Sequence, residues 1–117
     1  KNNIPYMALQ NADGQFVRPD DKSFAAAAAG VDWFSVPGMG VSMVNAKGKE
    51  SWPISTASFI LMYKQPADKA QSAEVLKFFD WAFKNGKQAA SDLDYVAMPD
   101  AVTEQIRTRV WSQINNK

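Results

Sequence analysis

The most strongly hydrophobic part of the chain runs from Ile54 to Tyr63 and becomes continuously apolar between Phe59 and Met62. A strand that is apolar on both faces is typical of the interior of a parallel sheet covered by helices. The pattern therefore predicts a buried strand over 54–63. Because few other stretches of the chain resemble strands, its neighbours are expected to come from elsewhere, as in a piece of a larger protein.

Amphipathic helices are predicted after this strand. The first follows Lys69 and ends at Asn85-Gly86, a short helical stretch covers 87–93, and the last begins with Pro99 as its first residue, where a missing N–H costs nothing. Helical spacing defines two apolar faces. These faces consist of Ala73, Leu76, Phe79 and Phe83 in the first helix and Val102, Ile106, Val110, Trp111 and Ile114 in the last.

The preceding part of the chain alternates between turns and short elements. Asp13-Gly14 tolerates the positive φ of a tight reversal and predicts a hairpin between 6–10 and 15–18. Five alanines, 25–29, closed by Gly30, predict a helix that opens after Pro19. The Pro37–Gly40 stretch predicts a turn, because its Gly-Met-Gly lacks the wider glycine spacing and the Lys-Ser/Thr ending of a phosphate-binding loop.

Composition excludes several kinds of chemistry. The chain contains no Cys and no His, so it carries no Ser-His-Asp triad, no Cys-His pair and no zinc site built on thiolates or imidazoles. Thirteen Lys and Arg against 12 Asp and Glu give a net charge of +1, without the basic block that nucleic-acid binding requires. The longest apolar run is shorter than the about 20 residues that a membrane span needs. Neither nucleic-acid binding nor membrane insertion is expected, and no metal site is predicted.

The remaining candidates are charged side chains near the C-terminal helices. Asp92 and Asp94 form a carboxylate pair that could perform acid-base chemistry, although capping and solvation are favoured at a helix-to-loop transition. Glu104 is a further candidate for such chemistry in an enzyme. Arg107 and Arg109 are interpreted as solvated or paired on the outer face of the last helix. Anion binding is the alternative interpretation of the two arginines.

Three segments carry a resemblance to a known family. Trp52–Leu61, Val75–Phe83 and Asp92–Asp100 resemble, in order and spacing, the C-terminal part of the periplasmic phosphate-binding protein of bacterial high-affinity phosphate ABC importers. Weaker similarity extends upstream to Asp13-Gly14 and through 24–33 and 47–50, and the pattern departs between Phe34 and Met43. The resemblance covers essentially the whole chain.

The resemblance implies a fold and a domain organisation. The fold class is α/β, and the chain would be the C-terminal portion of a two-lobe type II periplasmic binding-protein fold. Residues 1–54 would complete the second lobe, including the hairpin and the first helix. Residues 55–117 would supply a return strand and the C-terminal helices of the first lobe.

The resemblance also implies a function for the complete protein. It would capture inorganic phosphate in the periplasm and deliver it to the membrane permease of the importer, without enzymatic activity or a cofactor. The family's ligand-binding motifs do not occur in this sequence, so the resemblance places no ligand-binding or catalytic residue here and assigns the ligand to the remaining N-terminal part.

Ser55 and Thr56 would lie near the crossing between the lobes, where hydrogen bonding at a strand end is favoured over phosphate contact. Two alternatives stay open. One is a self-standing interaction module, and the other is a domain of an enzyme that processes phosphate esters.

Overall fold

The computed structural model describes residues 4–116. The chain divides into two compact units, with the division between Ser58 and Phe59. The described residues contain helices and one short hairpin.

The first unit begins with the predicted hairpin, which the structure confirms in a short form. Strands β1 (Leu9–Gln10) and β2 (Phe16–Val17) pair antiparallel, with Leu9 opposite Val17. Within the connecting loop the N–H of Gly14 donates to the carbonyl of Asn11 at 2.9 Å. Gly14 has a φ of 77°, a conformation that glycine adopts without steric cost.

Helix α1 (Asp21–Ala29) confirms the helix predicted from the alanine run. It starts with a reciprocal capping box. The Asp20 carboxylate accepts from the Ser23 N–H at 2.8 Å, and the Ser23 hydroxyl oxygen accepts from the Asp20 N–H at 3.1 Å. These bonds satisfy amides that the first helical turn leaves without a partner, so the sequence fixes where α1 begins.

The core of the first unit forms around α1. Ala27 and Ala28 are buried, and the indole N–H of Trp33 donates to the carbonyl of Ala28 at 2.9 Å. Small side chains allow this close approach of the indole to the helix. The predicted turn at Pro37 is confirmed as a short 3₁₀ segment, Pro37–Met39. The other buried hydrophobic side chains of this unit are Met43, Ala46 and Trp52.

The strand predicted over 54–63, with neighbours expected from elsewhere, does not form within this chain. Between Ile54 and Tyr63 the structure contains no helix or strand, and the exposed fractions of Phe59 and Leu61 are 50% and 93%. A strand requires a hydrogen-bonded neighbour, and among residues 4–116 the only strand pairing is between β1 and β2. The apolar side chains of this segment are typical of a buried strand, but the described residues of this chain supply no strand that pairs with it.

The second unit consists of helices. Helix α2 (Lys69–Asn85) begins at the predicted place, with the Asp68 carboxylate accepting from the Gln71 N–H at 2.9 Å. Helix α3 (Lys87–Asp92) confirms the short helical stretch. The last helix comprises α4 (Asp100–Gln105), a π-helical turn (Ile106–Val110) and a 3₁₀ turn (Trp111–Gln113).

Pro99 is the N-cap of α4 rather than its first helical residue, a one-residue correction to the predicted start. Its φ of −56° and ψ of 142° give it an extended conformation outside the helix. The fixed φ of proline suits both positions, so the sequence alone does not distinguish them.

The apolar faces predicted for α2 and the last helix are partly covered. Val102 and Ile114 are buried, and the Phe83 ring stacks on the Trp111 ring with centroids 5.7 Å apart and an interplanar angle of 9°. This stack joins α2 to the last helix. Two other aromatic residues of α2, Phe78 and Trp81, remain more than half exposed. None of the described helices is long and apolar enough to cross a membrane.

Candidate functional site

The second unit carries an open, charged groove of about 420 Å³. Side chains from α2, α3 and the last helix reach it. Its lining residues are Phe83, Lys84, Lys87, Asp100, Thr103, Glu104 and Arg107. Because it contains three cationic side chains, the groove is a candidate anion-binding site.

Arg107 is held by two carboxylates, which confirms that it is paired. Its Nε lies 2.7 Å from Asp80 Oδ1, and its Nη1 lies 3.4 Å from Glu104 Oε2. The guanidinium also lies 5.9 Å from the centroid of the Phe83 ring, within range of a cation–π interaction. The hydrogen bond that Arg107 donates to Asp80 raises the pKa of Arg107 above its ordinary value.

Asp80 bridges two cations. Its Oδ2 accepts from Lys84 while its Oδ1 accepts from Arg107. Two hydrogen bonds hold the pKa of Asp80 below its ordinary 3.8. The bond from Lys84 has the larger effect, and the bond from Arg107 the smaller one. Asp80 therefore stays ionised and keeps both cations engaged.

The third cation of the groove is also paired. Lys87 Nζ contacts both carboxylate oxygens of Asp100, at 2.7 and 2.9 Å, with both side chains more than half exposed. An exposed pair of this kind contributes little to stability. Together with the Arg107 and Lys84 contacts, it leaves the groove balanced in charge, so the groove lacks the positive excess of a phosphate site. Arg109 is exposed on the π-helical turn and does not line the groove.

The N-termini of the two longest helices carry aspartates. A helix N-terminus binds phosphate through free N–H groups and the helix dipole. In α1 and α2, the carboxylates of Asp20 and Asp68 already accept from these N–H groups. Each aspartate places a negative charge where a bound anion would sit.

The three candidate acid-base carboxylates do not share one site. Asp92 accepts from the Gln88 side-chain amide at 2.8 Å on the surface of α3, and Asp94 adopts a φ of 63° in the following turn. Glu104 lines the charged groove, whereas Asp92 and Asp94 do not. Within residues 4–116, no group of three or more Asp or Glu side chains is arranged to hold a metal ion.

Ser55 and Thr56 differ in their surroundings. Ser55 is buried, and its hydroxyl donates to the carbonyl of Trp52 at 3.0 Å. Thr56 is exposed. The predicted hydrogen bond from Ser55 to the backbone is therefore present. It lies within a local turn and not at the end of a strand.

Sequence reasoning missed Asn11. This side chain is 6% exposed, and its Nδ2 lies 2.9–3.2 Å from the carbonyl oxygens of Gly48, Lys49 and Ser51. Its Oδ1 accepts from two amides of its own turn, those of residues 13 and 15, at 3.1 and 3.0 Å. Asn11 thereby ties the hairpin to the 48–51 loop. An asparagine that opens a turn predicts the local bonds but not the distant ones.

Comparison with known proteins identifies relatives of the chain. No family model matches it. It is 44% identical over 116 residues to the phosphate-binding protein PstS of Pasteurella multocida, covering 99% of the chain and 34% of the relative. It is 45% identical to the proteins of that name from Haemophilus influenzae and Xylella fastidiosa, covering 93% and 91% of the chain and 33% and 29% of the relatives.

The resemblance predicted from the sequence is confirmed, because the chain is homologous to a part of the phosphate-binding proteins. The relatives are PstS proteins, and the chain spans about a third of their length.

Proposed function

We propose that the chain is the C-terminal part of a periplasmic phosphate-binding protein. The complete protein would close two α/β lobes around inorganic phosphate and deliver it to the permease of an ABC importer. The observation that supports this proposal is the 44% identity with the Pasteurella multocida phosphate-binding protein over 99% of the chain. Capture and release require no covalent chemistry, so the protein would be a carrier without cofactor, not an enzyme.

Within this proposal, residues 1–54 complete the second lobe, and residues 55–117 return to the first. The division between compact units at Ser58 and Phe59 lies close to this boundary and supports it. The chain therefore contributes to both lobes.

The phosphate contacts are assigned to the remaining two thirds of the protein. Two features of this chain support that assignment. The cations of the charged groove are paired with Asp80, Asp100 and Glu104. In addition, aspartates cap the N-termini of α1 and α2. Phosphate binding at either place would require breaking an existing charge pair or cap.

A chimera tests the proposal. In it, this chain replaces the matched third of the Pasteurella multocida protein, and phosphate binding is measured by calorimetry with sulfate as the control ligand. We expect the chimera to bind phosphate and the isolated chain to bind it negligibly. A folded chimera that does not bind phosphate, or micromolar binding by the isolated chain, would contradict the proposal.

A self-standing interaction module is the second candidate, favoured by the exposed side chains of Ile60, Leu61 and Tyr63. The two candidates predict different behaviour of the isolated chain. A module folds cooperatively as a monomer, whereas a part of a carrier does not. No comparable observation favours an enzyme, since Asp92 and Asp94 lie outside the groove that Glu104 lines.

A further inference from the structure

The joint between α2 and α3 contains a chemically labile pair of residues. Asn85 is the last residue of α2, and Gly86 connects it to α3. Asn85 is exposed, and it is the only asparagine of the sequence that precedes a glycine. Because glycine has no Cβ, its backbone nitrogen can approach the preceding side chain closely. This joint is therefore the place where the backbone can most readily attack an asparagine side chain.

The reaction available to this pair is intramolecular deamidation. The backbone nitrogen of Gly86 attacks Cγ of Asn85, so a bond forms between these two atoms and the bond from Cγ to Nδ2 breaks. Nδ2 leaves as ammonia and takes up the proton that the Gly86 nitrogen loses. Solvent water then opens the five-membered succinimide at either of its carbonyl carbons. The product at position 85 is aspartate or isoaspartate.

The folded joint restrains both reacting groups. The Gly86 N–H donates to the carbonyl of Ala82 at 2.8 Å, and Asn85 Nδ2 donates to the carbonyl of Trp81 at 3.0 Å. The first bond holds the proton that the attacking nitrogen must lose. The second bond anchors the leaving amide one turn back along α2. Attack at Cγ therefore requires the last turn of α2 to open.

The glycine of this pair is required by the joint itself. A Cβ on residue 86 would lie 2.6 Å from the carbonyl oxygen of Ala82, which is too close for any side chain. The residue that makes Asn85 labile is thus the one that allows α3 to follow α2 directly.

The contacts of α3 indicate that the joint opens readily. Within the described residues 87–92, which form the whole of α3, no side chain is buried, and no side chain caps the N-terminus of the helix. A six-residue helix is also too short to be stable without packing. Segments with few buried contacts open locally at a low cost in free energy.

We propose that Asn85 is a deamidation site and that the joint between α2 and α3 controls its rate. The product changes the joint, because a carboxylate cannot donate to the carbonyl of Trp81 and isoaspartate adds one methylene group to the main chain. Lys87, the first residue of α3, would then lose its fixed position against Asp100 in the charged groove. The inference does not depend on phosphate binding.

Peptide mapping of the chimera tests the site. The chimera is incubated in mildly alkaline buffer with and without urea. Mass spectrometry detects the conversion of amide to acid, and a protein-isoaspartate methyltransferase detects isoaspartate. In urea, Asn85 should convert faster than every other asparagine of this chain. Without urea, its conversion should be on the order of 10- to 100-fold slower.

The matched control for the site is Asn85→Gln. It keeps a side-chain amide but cannot form the five-membered ring, so position 85 should remain unmodified. Failure of Asn85 to convert in urea would overturn the site. Equal rates with and without urea would overturn control by the joint.

A glycine substitution in α3 tests whether the opening is local. The Ala90 N–H donates to the carbonyl of Gly86 at 3.0 Å, and Ala90→Gly keeps this donor while lowering helix stability. Deamidation of Asn85 in the folded chimera should become about fivefold faster. In urea the rate should not change. The matched control is Ala26→Gly in α1, which should leave the rate at Asn85 unchanged.

The two glycine variants separate local from global opening. Equal acceleration by Ala90→Gly and Ala26→Gly would show that the whole protein must unfold, and no acceleration by Ala90→Gly would show that α3 does not protect the site. Either result would overturn control by the joint. Because phosphate binding is not part of the readout, neither result bears on the proposed function.

Discussion

Replacing Asn11 should destabilise the protein more than any surface asparagine does. The two hydrogens of its side-chain amide are shared among three carbonyl oxygens, and its side-chain oxygen accepts from two backbone amides. Counting two donated and two accepted bonds at about 0.5–1.5 kcal/mol each gives about 2–6 kcal/mol for Asn11→Ala. Because Asn11 is only 6% exposed, solvent has limited access to the groups left behind.

A second substitution separates the two halves of this network. Asn11→Asp keeps the accepting oxygen but replaces the donor with a second oxygen that faces three carbonyls. At neutral pH the introduced carboxylate is charged and repelled, so Asn11→Asp should be more destabilising than Asn11→Ala. This order of stabilities would show that the donating NH₂ group of Asn11 stabilises the contact between the hairpin and the 48–51 loop.

Urea unfolding of the chimera, followed by circular dichroism, measures both effects. The control is Asn85→Ala, which removes one exposed bond from the asparagine amide to the carbonyl of Trp81 at 3.0 Å. The control should change the free energy of unfolding by no more than about 0.5 kcal/mol. Equal unfolding midpoints for Asn11→Ala and Asn85→Ala, or an Asn11→Asp protein more stable than Asn11→Ala, would refute the reasoning.

Three further outcomes are expected. The isolated chain should be aggregation-prone or molten, because several exposed apolar side chains each forgo about 1.5–3 kcal/mol of burial; a monodisperse monomer with a sharp melt, by gel filtration and calorimetry, would contradict this. Gly30→Ala should lower the chimera's free energy of unfolding by about 1–3 kcal/mol, because a Cβ on residue 30 would lie 2.3 Å from the Lys47 carbonyl oxygen. The control, Gly40→Ala, places its Cβ in open space and should change the free energy of unfolding little. The stabilising contribution of Asp80 should be intact above its ordinary pKa of 3.8 and be lost as the pH falls through its lower folded-state pKa; Asp80→Asn should flatten the acid limb of a melting-temperature profile, and an unchanged limb would argue against the pairing.

The sequence predicted the local structure well because the relevant contacts are close along the chain. The capping box joins Asp20 to Ser23, and the Asp68 cap joins it to Gln71, each over three residues. Such contacts depend on residue type and spacing alone. The two helix starts were therefore predictable from the residues themselves.

The remaining features depend on contacts that no periodicity encodes. Asp80 meets Arg107 across 27 residues, and the Asn11 amide reaches carbonyls 37–40 residues away. The strand predicted over 54–63 does not form within this chain for a related reason. Its hydrophobic pattern depends on what covers it, and the covering groups are not among the described residues of this chain.

The aspartate caps of α1 and α2 bear on how a carrier couples binding to motion. A ligand shifts a conformational equilibrium only if it binds one state better than the other. An anion held at an exposed helix end would be bound equally well with the lobes open or closed, so it would occupy the protein without closing it. In the proposed carrier, the Asp20 and Asp68 caps would disfavour an anion at these two helix ends, so that phosphate occupancy would accompany closure of the lobes.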